Sequence, residues 1–70
     1  MRYGIKHKPT GKFLQEDMVI GTILVDEEEG FYNWYRKEDA EEILSSYYGD
    51  FIYDTDENEY PNNEFEVVEL

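Results

Sequence analysis

The segment Asp54-Thr55-Asp56-Glu57-Asn58 sets oxygen-bearing side chains at alternate positions, which is how a calcium loop opens. That pattern also needs Gly at its sixth position and Glu at its twelfth. Here those positions hold Glu59 and Phe65, Glu64 falls one residue early, and Pro61 stiffens the segment. The expectation is a solvated acidic loop. His7 is the one histidine, and the chain has no cysteine. A histidine base needs a nucleophile or an acid within hydrogen-bond reach, and Ser45 and Ser46 are remote from it in sequence. His7 is therefore expected as a strand residue beside Lys6 and Lys8. Carboxylate pairs of the glycosidase kind are inevitable among eighteen acids and carry no information. Glycine-rich phosphate loops are absent. No catalytic residue, metal or cofactor is expected, and the chain reads as a non-enzyme.

The acids are expected to act as a group. Eighteen of them stand against six Lys and Arg in 70 residues, for a net charge of −12. Solubility of a small domain is met at a charge magnitude of roughly 2–8, and the excess costs stability through self-repulsion. Such a surface repels nucleic acid and anionic membranes and attracts basic partners. Rigidly held carboxylates can follow a path similar to phosphates along a strand, so a Lys/Arg-lined groove could accept them. The residues expected to meet a partner are Asp26, Glu27, Glu28 and Glu29, then Glu38, Glu41 and Glu42, then Asp54, Asp56, Glu57 and Glu59. Tyr48 is added as an aromatic anchor. The charge is uneven. Residues 1–12 hold Arg2, Lys6, Lys8 and Lys12 and no acid, while every acid lies after them with only Arg36 and Lys37. If this basic segment pairs with acidic strands, part of the repulsion is relieved internally.

The elements that must position these groups read as an α+β fold. It is expected to be an antiparallel sheet of four to five strands with one helix packed on one face, in a single domain over 1–70. Tyr3, Ile5 and His7 alternate with Gly4, Lys6 and Lys8, the period of a half-buried strand. Pro9 and Gly11 suit a tight turn, and Phe13 and Leu14 begin the return strand. Gln15-Glu16-Asp17 breaks the pattern. Met18 to Val25 is apolar and β-branched and reads as a central strand, with Gly21 marking a bulge or a close approach. Phe31 to Tyr35 is aromatic and reads as a further strand. Lys37 to Tyr48 is a helix with a stripe of Ala40, Ile43, Leu44 and Tyr47, opened by Glu38 and Asp39 and closed by Gly49. Phe51 to Tyr53 and Glu64 to Leu70 are strands around an acidic loop, 54–63.

Twelve aromatic residues argue for a folded chain. If one side of the Phe31–Tyr35 segment covers the core, the other exposes aromatics, unless a long loop covers them. No apolar run follows Met1 to suggest a signal peptide, and the lack of cysteine is compatible with the cytoplasm.

The segments Tyr3-Gly4-Ile5-Lys6-His7-Lys8-Pro9-Thr10-Gly11-Lys12-Phe13-Leu14 and Lys37-Glu38-Asp39-Ala40-Glu41-Glu42-Ile43-Leu44 resemble a hairpin and helix pattern in small proteins of tailed phages. The acidic excess resembles, in composition, the anti-restriction and anti-CRISPR proteins that imitate DNA. These likenesses imply an inhibitor that binds the basic groove of a nucleic-acid-processing protein in a bacterial cytoplasm. The alternative is a non-catalytic structural or regulatory interaction module with an aromatic face, of the kind that can form a homodimer.

Overall fold

The Pro9-Thr10 turn joins β1 (Tyr3–His7) to β2 (Phe13–Asp17). Gly11 takes the left-handed conformation at φ 74°. His7 N–H donates to Lys12 O, and Gly11 N–H to His7 O, both at 2.8 Å. The computed structural model describes residues 1–17 and 21–70. After β2 come β3 (Gly21–Val25), a single turn at Glu27–Glu29, helix α1, β4 (Phe51–Tyr53), β5 (Glu59–Pro61), a turn at Asn62–Glu64, and β6 (Phe65–Glu69). α1 covers Lys37–Glu42 and continues through Ile43–Tyr47 in wider, π-type turns. The strands make a four-stranded antiparallel sheet of order β3-β2-β1-β6 and a separate β4-β5 hairpin. The fold is α+β, with the helix packed against β1 and β6.

One face of the large sheet, the hairpin and the helix close over Ile5, Leu14, Ile52 and Phe65. Leu24, Trp34, Ile43, Leu44, Tyr48, Tyr60 and Val67 pack around them. Each fully buried side chain of this size is worth about 1.5–3 kcal/mol, so a domain this small depends on each one. The opposite face has a smaller cover. Phe31 stacks on Phe13 with ring centroids 4.2 Å apart and planes within 5°. Phe13 lies opposite Val25 across the ladder, and both are buried.

Four expectations about the strands change. First, Phe31–Tyr35 is not a strand. It makes one bridge, in which Tyr3 and Trp34 exchange two backbone hydrogen bonds of 2.8 Å. β1 pairs in full with β6, but with β2 only at Lys6↔Phe13. The ladder partner of Tyr3 on its other side is thus Trp34. The aromatic run covers both faces: Phe31 on Phe13, Trp34 against the main core.

Second, Gly21–Val25 is a strand at the sheet edge, not its centre. Its apolar character comes from cover on both faces, Leu24 against the main core and Val25 beside Phe13. Thr55 meets its outer side, donating N–H to Thr22 O at 3.0 Å. Gly21 has the close approach expected of it, since a Cβ there would stand 3.2 Å from Thr55 Cγ2. Met18, Val19 and Ile20 of this expected strand lie outside the described residues.

Third, Gln15–Asp17 continues β2, because β3 supplies ladder partners to its end whatever the side chains. Fourth, the acidic loop contains a strand. Tyr60 lies opposite Ile52 and packs on the core, which shortens the loop to 54–58. Asn62 N–H donates to Asp50 O at 2.8 Å, so even-numbered residues carry this ladder. Pro61 falls between them, where a missing N–H breaks no ladder bond.

The helix stripe also shifts. Ala40 is buried, and Ile43 and Leu44 pack on the core, but Tyr47 is 66% exposed. Tyr48 turns inward instead, which corrects its expected place at a partner surface. The wider turns explain it: Tyr48 N–H donates to Ile43 O at 3.3 Å, five residues back, so the fifth residue and not the fourth aligns with Ile43. Gly49, at φ 68°, ends the helix. The Tyr48 hydroxyl is buried without a hydrogen bond of ordinary geometry, although Thr22 and Glu16 lie near enough to influence it. Burial above all pushes this phenol up to about 12. Removing an unsatisfied buried hydroxyl relieves a desolvation penalty. Tyr48→Phe is therefore expected to leave stability unchanged or to raise it by up to about 1 kcal/mol, read from urea unfolding. A loss above 1 kcal/mol would show that the hydroxyl is bonded.

Candidate acidic interface

The expected partner residues fall in three clusters on three elements. Asp26 precedes the Glu27–Glu29 turn at the end of β3, and all four side chains are exposed. Glu38, Glu41 and Glu42 are exposed on α1, whose Ala40 faces the sheet. Spacings of three and four residues put Glu41 and Glu42 about one 5.4 Å turn along the helix from Glu38. Arg36 lies 3.5 Å from Glu38 with both side chains exposed, a contact of little energetic weight. Asp56, Glu57 and Glu59 are exposed at the tip and start of the β4-β5 hairpin.

Asp54 belongs to the same loop but works differently. Its Oδ1 accepts from the N–H groups of Asp56 and Asn58, both at 2.9 Å. Its Oδ2 accepts from Asn58 Nδ2 and from the Tyr60 hydroxyl, both at 3.2 Å. Glu57, at φ 65°, completes the turn in the left-handed region. Burial opposes ionisation of Asp54, but the donors of Asn58, Asp56 and Tyr60 outweigh it and hold its carboxyl below the ordinary value. Burial first, then the Asp54 carboxylate, pushes the Tyr60 phenol up, which keeps it a donor. The carboxylate closes the turn, and its lone pairs are committed to the loop's own donors. Among the described residues no three His, Asp or Glu side chains converge as metal ligands.

Asp54→Ala is expected to cost about 1–2 kcal/mol at pH 7, since it strands several donors. A carboxyl with a lowered folded value stabilises above its unfolded value, near 4, and loses that contribution as pH falls through the folded one. The gap between wild type and variant should therefore be full at pH 6–7 and shrink below about pH 4. A gap independent of pH over that span would contradict the assignment.

Part of the basic segment lies near acidic residues, although Arg2, Lys8 and Lys12 are exposed. β1 against β6 sets Lys6 opposite Glu66 and His7 opposite Phe65, and opposite charges across a ladder are favourable. The backbone N–H of Lys8 donates to the backbone O of Glu64 at 2.8 Å, which joins the strands without pairing the two charges. Lys12 and Thr10 line a polar cavity of about 220 Å³ together with Asp54, Asp56, Asn58 and Tyr60. The relief of repulsion expected from such pairing thus rests on Lys6 opposite Glu66 and on Lys12 beside Asp54 and Asp56.

His7 has more partners than its sequence neighbours suggested. It is 3% exposed. Its Nδ1 lies 2.8 Å from Thr10 Oγ1 and its Nε2 3.0 Å from Glu64 Oε1. Lys12 N–H reaches the same Thr10 oxygen at 3.3 Å. For a neutral ring one direction satisfies every member: Lys12 N–H to Thr10, Thr10 O–H to Nδ1, and Nε2–H to the Glu64 carboxylate. Sequence reasoning looked for a hydroxyl or thiol partner among Ser and Cys and passed over Thr10, three residues away. The chain has the order of a hydroxyl–imidazole–carboxylate relay, but its ring is enclosed by Tyr60 and Phe65, at centroid distances of 4.9 and 4.7 Å. Its evident role is to tie the β1-β2 turn to the start of β6. A nearby signal was Glu64 itself, the acid directly before the last apolar alternation.

No helix among the described residues is long and apolar enough to cross a membrane. No protein-family model matches the sequence, and no curated protein or solved structure is significantly similar to it.

Proposed function

We propose that the protein is a non-catalytic inhibitor that occupies the basic, nucleic-acid-binding groove of a nucleic-acid-processing protein, in the manner of a DNA or RNA mimic. The setting that fits is a phage protein acting against a bacterial defence system of the restriction or CRISPR kind. One observation carries the reading. The acids of the 26–29 turn, the helix and the hairpin tip are exposed, and among the described residues Glu38 alone of them has a Lys or Arg ion-pair partner, the exposed Arg36. The negative surface is thus left largely uncompensated, in a molecule of net charge −12. Entry into a Lys/Arg-lined groove would release counterions from both surfaces.

The test is capture from bacterial lysate on the immobilised protein, with elution at rising salt, followed by competition with labelled duplex DNA for each captured protein. Basic nucleic-acid-binding proteins released by salt, and displaced by DNA, support the reading. Recovery of only non-basic, salt-insensitive partners sinks it. Reversing Glu41 and Glu42 to lysine, or Asp56, Glu57 and Glu59, should weaken capture about tenfold or more at low salt and less at high salt. Folding should respond in the opposite sense, because salt screens self-repulsion.

A second reading has its own support. Tyr32, Tyr35, Tyr47, Phe51 and Tyr53 are all exposed, and exposed aromatics serve as interface anchors. It makes the protein an interaction module, including with itself. Sedimentation that is independent of concentration would remove the self-association.

A further inference from the structure

Beside the C-terminal end of the helix lies a groove of about 480 Å³, lined by Ser45, Gly49, Asp50, Phe51, Pro61, Asn62 and Asn63. We infer that it is the seat of an arginine side chain from a basic segment of the partner. This deepens the proposed function and rests on it only for the sign of the partner's charge.

The lining combines acceptors with an aromatic wall and holds no Lys, Arg or His. Asp50 supplies a carboxylate. Asn62 donates its Nδ2 to Leu44 O at 2.6 Å and to Gly49 O at 2.7 Å, which fixes the amide and leaves its Oδ1 to accept. The helix C-terminus carries partial negative charge, and its last turn has no basic residue of its own. Phe51 is 44% exposed, on the hairpin face that turns away from Ile52, and Tyr53 on the same face is 60% exposed. An aromatic face beside planar acceptors suits a guanidinium better than an ammonium, because Arg stacks flat and donates sideways.

The molecule already holds one of its own arginines in this way. The Arg2 guanidinium lies 4.7 Å from the Tyr35 ring centroid. Its Nη1 donates to Asn33 Oδ1 and its Nη2 to the Tyr35 hydroxyl, both at 3.0 Å. The groove likewise has an aromatic residue and asparagines in its lining, and adds an aspartate that the Arg2 site lacks.

The test is an amide-shift titration of the ¹⁵N-labelled protein with two capped pentapeptides, glycine-based and carrying either two arginines or two lysines. The expected result is that shifts concentrate at Gly49, Asp50, Phe51, Asn62 and Asn63, with the lysine peptide about fivefold weaker. Phe51→Leu keeps an apolar wall without a π face and should bring arginine binding down to about the lysine level. The unperturbed remainder of its spectrum serves as the check on folding. Shifts that centre on residues 27–29, 38–42 or 56–59, equal for both peptides, overturn the groove and leave the mimic reading intact. Groove shifts that do not distinguish the peptides, or that survive Phe51→Leu unchanged, also overturn it. So does the absence of shifts with either peptide, and DNA competition then decides the mimic reading separately.

Discussion

Replacing His7 with alanine is expected to lower stability by about 3 kcal/mol, a large share of the roughly 4–10 kcal/mol available to a domain of this length. Two losses combine. The ring sits between Tyr60 and Phe65 at 3% exposure, so its removal leaves a cavity among packed aromatics. It also leaves Glu64 Oε1 and Thr10 Oγ1 without the nitrogens that lie 3.0 and 2.8 Å from them. Glu64 is partly exposed and can recruit water, so the carboxylate's share is moderate. His7→Phe separates the two losses, because it refills the space but bonds neither neighbour, and it should recover about half of the lost stability. Trp34 is the one tryptophan and packs on the core, so its fluorescence reports urea unfolding directly. A loss below about 1 kcal/mol for His7→Ala would show that the relay does not hold β1 to β6.

Gly4→Ala is expected to cost about 1–3 kcal/mol, although it adds a single methyl group to a strand. A Cβ on Gly4 would stand 2.9 Å from Phe31 Cε2 and 3.3 Å from Phe13 Cδ1. The two rings are stacked at 4.2 Å, so Phe31 cannot yield toward Phe13. It must lift away, and the 26–34 segment with it, or else β1 must shift in its register with β6. Propensity alone points the other way, since Ala suits a strand interior better than Gly. The decisive measurement is a double-mutant cycle. In a Phe31→Ala background the Gly4→Ala penalty should vanish or change sign, because the ring it collides with is gone. A penalty that persists unchanged would place its cause in the backbone of β1.

These two positions show where sequence reading reaches its limit. Gly4 was legible as a residue of the strand's outer face, and glycine within a strand signals a close approach. What approaches it comes from Phe31, far along the chain. His7 was legible as a strand residue facing inward with Ile5. Its carboxylate partner is 57 positions away, beyond any local pattern. The helix illustrates a subtler limit. Ala40, Ile43 and Leu44 face the core as a period of 3.6 requires, but the wider turns after Glu42 exchange Tyr47 for Tyr48. A sequence period assumes the geometry that it is used to infer, so a local change of pitch is invisible to it. Among the acidic candidates, the exposed positions were legible because charged side chains stay in solvent unless paired. Asp54 departs from its neighbours because four donors, one of them Tyr60, converge on it.

The sequence by itself determined the sign and excess of the charge, the Pro9–Gly11 turn, the single helix with its stop at Gly49, and an α+β architecture. These are local matters: backbone preference at individual residues and the apolar period of short segments decide them. Only the tertiary structure decided that β3 lies at an edge, that β1 pairs in full with β6 and with β2 at one position, and that residues 31–34 cover both sheet faces. It also decided that Lys6 stands opposite Glu66 and that Lys12 lies beside Asp54 and Asp56. The reason is physical. A period of two or of 3.6 says which side of an element is buried, not what buries it, and that choice belongs to long-range packing summed over the whole core. Charge then joins the two levels, because a total of −12 is a property of composition, whereas which carboxylates remain free for a partner depends on where the fold places its cations.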